Sequence, residues 1–187
     1  MTTAQIVVLA LSSSVLAAAL SIAGNHVLAT LQFRREYYKE IIKRRLAAYE
    51  ALDHLIAQLR PLTYDNQGRL AHFVFAAGQH ANLEALAAFK SVLSHALYLS
   101  DELRADLVHL NVQLLGLPPD ASEQQAFEVG ASKYEELSAM RQHLETLAAR
   151  DLVTLHKVRK FLKLRRKTLA DEVQRELHML PKNRGEA

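Results

Sequence analysis

The sequence predicts an all-α protein, with a single N-terminal transmembrane helix continuing into a cytoplasmic helical bundle that has a long C-terminal helix. Three observations predict it. Residues 1–31 contain no Lys, Arg, Asp or Glu. Only six Gly and four Pro interrupt a 187-residue chain that is otherwise rich in Leu and Ala, the residues that cost a helix least. Beyond residue 32 the apolar side chains recur at steps of three and four, a helical stripe rather than strand alternation. Almost no sheet is expected.

Residues 1–31 are read as the anchor. About 20 apolar residues at 1.5 Å each cross a hydrocarbon core, and this run is long enough with room for tilt. Its Ser residues are compatible with lipid because a hydroxyl bonds back to a carbonyl of its own helix. A secretory signal peptide is the competing reading, since Ser21, Ile22 and Ala23 resemble a cleavage site. Three features oppose it: no basic residue precedes the apolar run, the run exceeds the roughly 7 to 15 residues of a signal core, and no turn signal follows it. The Lys and Arg residues that follow the run keep that side in the cytoplasm, which puts the N-terminus outside and the protein in the cell (inner) membrane as a single-pass chain. Ser13, Ala17 and Ser21, spaced by four, form a small-residue face suited to self-association, and Asn25 offers an interhelical hydrogen bond.

Residues 32–60 form the next element, a membrane-proximal amphipathic helix. Tyr38, Ile42, Leu46, Tyr49, Leu52, Ile56 and Leu59 mark its apolar stripe, and Pro61 stops it. Tyr37 and Tyr38 suit either the bilayer interface or helix packing.

Residues 61–120 read as a segment of short helices. Phe73, Phe75, Leu83, Leu86, Phe89, Val92, Leu93 and Leu97 supply an apolar face, and Ser100 before Asp101 and Glu102 has the form of an N-cap. Gly116, Pro118 and Pro119 break the chain. Residues 121–187 are read as the long C-terminal helix and tail. Ser122 and Gln125 have capping-box spacing, and the stripe runs through Leu137, Leu144, Leu147, Leu152, Leu155, Val158 and Leu162.

Charge is distributed in zones. Residues 34–45 carry +4, residues 46–156 carry −7, and residues 157–167 carry +7 without one acid. The first zone supplies Arg34, Arg35, Lys39, Lys43, Arg44 and Arg45. The second supplies Lys157, Arg159, Lys160, Lys163, Arg165, Arg166 and Lys167. Seven like charges in eleven residues repel one another unless an anion offsets them. The nearest extended anion to a membrane-anchored chain is the lipid headgroup layer, so these thirteen residues are the candidate anionic-lipid contact, and nucleic acid ranks below lipid as partner. An antiparallel final helix would return the second zone to the level of the first.

No catalytic signature is present. There is no Walker loop, dinucleotide turn, nucleophile elbow or H-E-x-x-H pattern, and with no Cys there is no thiol chemistry. Among nine His, the pairs Glu50 with His54, His80 with Glu84, and Asp106 with His109 lie a helical turn apart, but no Glu-x-x-His pair of a bundle metal site occurs. No cofactor is called for. The sequence therefore points to a protein acting through protein–protein interaction or oligomerisation at the cytoplasmic membrane face, as scaffold, regulator or effector. A membrane-perturbing protein of phage or toxin type is the alternative, and a helical-bundle metal protein or enzyme the second.

Overall fold

A computed structural model of the chain describes the backbone of residues 3–179 and the side chains of residues 17, 18 and 20–168. The fold is mostly helical, as expected. The chain divides into two compact units, Met1–Ile41 and Ile42–Ala187. Helix α1 (Thr3–Leu59) belongs to both.

In the first unit α1 is a helix whose described apolar side chains are left uncovered. Leu20, Ile22, Val27, Leu28, Leu31 and Phe33 are all at least half exposed, Ile22 and Phe33 at 71% each. The Thr30 hydroxyl donates to the His26 carbonyl one turn back at 2.8 Å, a local bond that hides its polarity. Among the described residues no helix is long and apolar enough to cross a membrane. The side chains of residues 1–16 and 19, much of the apolar run, lie outside the described ones, Ser13 among them.

The second unit is a helical bundle. The end of α1 supplies Ala48, Tyr49, Leu52, Leu55, Ile56 and Leu59 to the core. Pro61 has no N–H with which to extend the helix, and the chain turns into an antiparallel hairpin, β1 (Leu62–Tyr64) with β2 (Leu70–His72), in register Leu62 to His72. This small sheet lies in the segment of residues 61–120 that was expected to hold short helices. Its signal is local: the Asp65 carboxylate accepts from the backbone N–H of Gln67 and of Arg69, both at 2.9 Å, and Gly68 takes the φ of +76° that closes the turn.

Helices α2 (Phe73–Ala76), α3 (Gln79–Ser94) and α4 (Asp101–Leu114) follow. Phe75, Phe89 and Val92 are buried, whereas Phe73, Leu83, Leu93 and Leu97 of the expected apolar face are exposed. The expected caps form. Ser100 Oγ accepts from the Leu103 N–H, and Ser122 with Gln125 makes the reciprocal capping box at the start of α5 (Glu123–Ser132).

The C-terminal segment is not one helix. It divides into α5, α6 (Tyr134–Val153) and α7 (Val158–Met179). At the second break the β-branched pair Val153 and Thr154 disfavours continuation, and the Thr154 hydroxyl donates to the Asp151 carbonyl at 3.2 Å. The buried stripe nonetheless keeps one period across the break: Leu137, Leu144, Asp151, Val158 and Arg165, each seven residues after the last, are all buried. Helix α1 does the same with Arg45, Leu52 and Leu59. The sequence stripes placed Leu46 and Leu152 inward, but both are exposed, and Arg45 and Asp151 are buried beside them. The stripes drifted by one residue because they counted apolar residues only, and these charged residues find partners inside.

Candidate functional site

The polar members of these stripes come together at one end of the bundle core. Arg45 of α1 is 3% exposed. Its Nη1 donates to the Leu155 carbonyl at 3.0 Å, and its guanidinium lies 4.3 Å from the centre of the Phe161 ring. The break between α6 and α7 creates this arrangement, because the Leu155 carbonyl lies outside both helices and accepts from the arginine instead. A planar cation can stack and donate at once, which suits arginine and not lysine.

One turn further along α1, the Tyr49 hydroxyl donates to Asp151 Oδ2 at 3.0 Å. Burial, aided by the negative Asp151, pushes this hydroxyl up to about 12, so it remains a donor at neutral pH. Asp151, itself 7% exposed, also accepts from Arg150 Nε and Nη2 at 3.2 Å, while Arg150 Nη2 reaches Glu102 Oε2 at 2.6 Å. Arg150 is therefore held between two carboxylates, which raises its pKa above the usual arginine value through the Glu102 bond first.

Arg165 of α7 completes the group. It is 8% exposed, and its Nη1 donates to Asp101 Oδ1 at 2.6 Å. The Thr168 hydroxyl donates to the other oxygen of Asp101 at 2.7 Å. Asp101 is the first residue of α4, where Ser100 caps the helix and a carboxylate is favoured by the helix dipole. The result is a cavity of about 630 Å³ walled by α1, the start of α4, the end of α6 and α7.

Of the thirteen residues expected at a lipid surface, five line this cavity: Arg45, Lys157, Lys160, Arg165 and Lys167. Arg45 and Arg165 are buried and the three lysines exposed. Lys43, Arg159, Lys163 and Arg166 are exposed elsewhere on the same unit, and Arg44 donates to the Tyr98 hydroxyl at 3.1 Å. Arg34, Arg35 and Lys39 are exposed on the first unit, as are Ala17 and Ser21. By sequence Tyr49 had only a packing role, Asp101 only a place in the first turn of a capped helix, and Asp151 none. The seven-residue spacing from Leu137 through Asp151 to Arg165 was the signal available for it.

The His pairs do not form a cluster. His80 lies 3.5 Å from Glu84 on an exposed face, and Asp106 is 2.7 Å from His143 of α6. Among the described residues no group of three or more His, Asp or Glu is placed to hold a metal ion. Compared with protein-family models, with curated proteins and with solved structures, the chain matches none.

Proposed function

We propose that the chain is a single-pass membrane-anchored helical protein that acts through protein–protein interaction or oligomerisation at the cytoplasmic membrane face. The observation that carries this reading is the uncovered apolar surface of α1 in the first unit. At 3.6 residues per turn, Leu20, Val27 and Leu31 share one side of the helix, and Ile22 and Phe33 lie opposite. A helix apolar on opposite sides is not covered by one neighbouring helix, whereas a bilayer would cover both sides. Phe33, Tyr37 and Tyr38 form a contiguous aromatic group, with ring centres 6.4 and 6.1 Å apart, where the charges begin. That is the composition of a membrane interface, with the basic residues that follow attracted to anionic headgroups.

The test is topology. A reporter fused after Ala187 should be active in the cytoplasm, and the protein should resist extraction by salt or alkali while dissolving in detergent. A reporter active only outside, or a mature chain beginning at Gly24, contradicts the reading. Self-association is tested separately: replacing Ser13, Ala17 and Ser21 by Leu should lower dimerisation of the anchor in a membrane reporter assay, because bulk separates the backbones.

A further inference from the structure

We infer that the cavity between α1, α4, α6 and α7 is a binding site for one phosphate ester, with Arg45 and Arg165 as its buried anchors. This goes beyond a general attraction of basic residues to a charged surface, because it assigns a stoichiometric site inside the bundle.

Three buried arginine nitrogens of the cavity-lining residues have nothing to donate to. Arg165 uses Nη1 on Asp101, but its Nε and Nη2 are buried without a hydrogen-bond partner. Those two N–H groups form one edge of the guanidinium, the edge that matches two oxygens of a carboxylate or phosphate. Arg45 likewise leaves Nε buried and unpartnered. Buried charged donors left unmade are costly, and native structures rarely keep them without an ion, water or ligand to accept.

The charge balance sets the sign and size of a ligand that would fit. Six cationic side chains line the cavity against three carboxylates. All three carboxylates are engaged: Asp101 by Arg165 and Thr168, Glu102 by Arg150, and Asp151 by Tyr49 and Arg150. Among the described residues Lys157, Lys160 and Lys167 have no carboxylate partner, so the cavity carries a surplus of about three positive charges. A carboxylate ligand brings a single charge and two acceptor atoms. A phosphate monoester brings nearly two charges and three strong acceptor oxygens, a closer match to the Arg165 edge, the single Arg45 Nε–H and a lysine rim.

The size and the apolar wall describe the rest of the ligand. A volume of about 630 Å³ falls within the usual range for small-molecule sites and leaves room well beyond one phosphate. Leu99, Phe161 and Leu164 supply apolar lining. One face of Phe161 is already covered by Arg45, which argues against a stacked nucleobase. A phosphate on a small glyceryl or acylglyceryl group fits best, and that chemistry has two sources, a free metabolite or a lipid headgroup.

The experiment uses the full chain in uncharged detergent micelles with two probes. One is glycerol 3-phosphate in solution; the other is a micelle doped with short-chain phosphatidic acid. Calorimetry should show saturable binding, one equivalent per chain. Binding of the soluble probe marks a solute site, binding of the doped micelle alone marks a headgroup site, and either supports the inference. Arg165→Gln should weaken binding at least tenfold, with helix content checked by circular dichroism. Because Arg165 is buried, the double variant Lys157→Gln, Lys160→Gln is the second arm. Both lysines are exposed on the cavity rim, so the fold should survive and affinity should fall severalfold. Absence of saturable binding to both probes, or wild-type affinity in the folded variants, overturns the inference. Neither result depends on the topology of the anchor.

Discussion

His72 joins three parts of the bundle through one imidazole. Its Nδ1 lies 3.0 Å from the Leu59 carbonyl, an acceptor left open at the end of α1, so Nδ1 carries the proton and donates. Nε2 lies 3.0 Å from the Ser138 hydroxyl and 3.3 Å from the Tyr134 carbonyl, both of α6, and in this tautomer it accepts from Ser138. Burial, with a smaller contribution from the positive Arg141, holds the His72 pKa below the usual imidazole value. The group is therefore neutral when folded. Its folded pKa is lowered, so protonation favours the unfolded chain: the contribution to stability is complete above the unfolded value of about 6.5 and declines as pH falls through it. The urea midpoint of the wild type should drop between pH 7.5 and pH 5.5, and His72→Gln should drop less over that interval while being about 1–3 kcal/mol less stable at pH 7.5. Tyr49→Phe is a second test at this scale. It removes a donor from buried Asp151 and should cost about 1–3 kcal/mol, measured by the same denaturation.

Helix α5 shows how an element is fixed by close approach. A methyl group at Gly130 would meet the His72 carbonyl oxygen at 3.1 Å, Phe75 Cβ at 3.2 Å and Ala71 Cβ at 3.3 Å. In an exposed helix Gly→Ala gains about 1 kcal/mol. Here Gly130→Ala should instead destabilise by about 1–2 kcal/mol, since the hairpin and α2 must move away together; the thermal midpoint decides the sign. The caps at Ser100 and Ser122 could be read from sequence because capping is a contact over three residues. The stop of α1 before Pro61 could be read for the same reason. The division of residues 121–187 could not, because what holds Leu155 in the break is Arg45, 110 residues away. The cavity was only half legible: its cations stood out as a charged run, whereas Asp101 was legible only as a first-turn acid and Asp151 only as part of an acidic zone. Burial of Arg45 was hidden because periodicity alone does not reveal a carbonyl and an aromatic ring waiting for a cation.

For the molecule as a whole, the proposed anchoring would rest on the apolar side chains of the first unit and the charge-free run of residues 1–31. If the chain is anchored as proposed, replacing Leu20 and Leu28 by Lys should move it from the membrane pellet to the soluble or degraded fraction without changing the bundle core, because neither residue is buried there. Within the second unit, the strict seven-residue stripe bears on evolution. Leu137 and Leu144 show what Asp151 and Arg165 would be if the bundle were selected for durability alone. Substituting Leu at both positions, with Tyr49→Phe so that no buried hydroxyl is left unpaired, would extend a dry seam, and replacing buried ionic groups together with their partners by well-packed hydrophobes is often neutral or stabilising by about 1–4 kcal/mol. Such a protein should melt higher and lose the phosphate site. The polar end of the stripe is thus a place where robustness has been traded for responsiveness, and selection for thermal tolerance alone should erase it first.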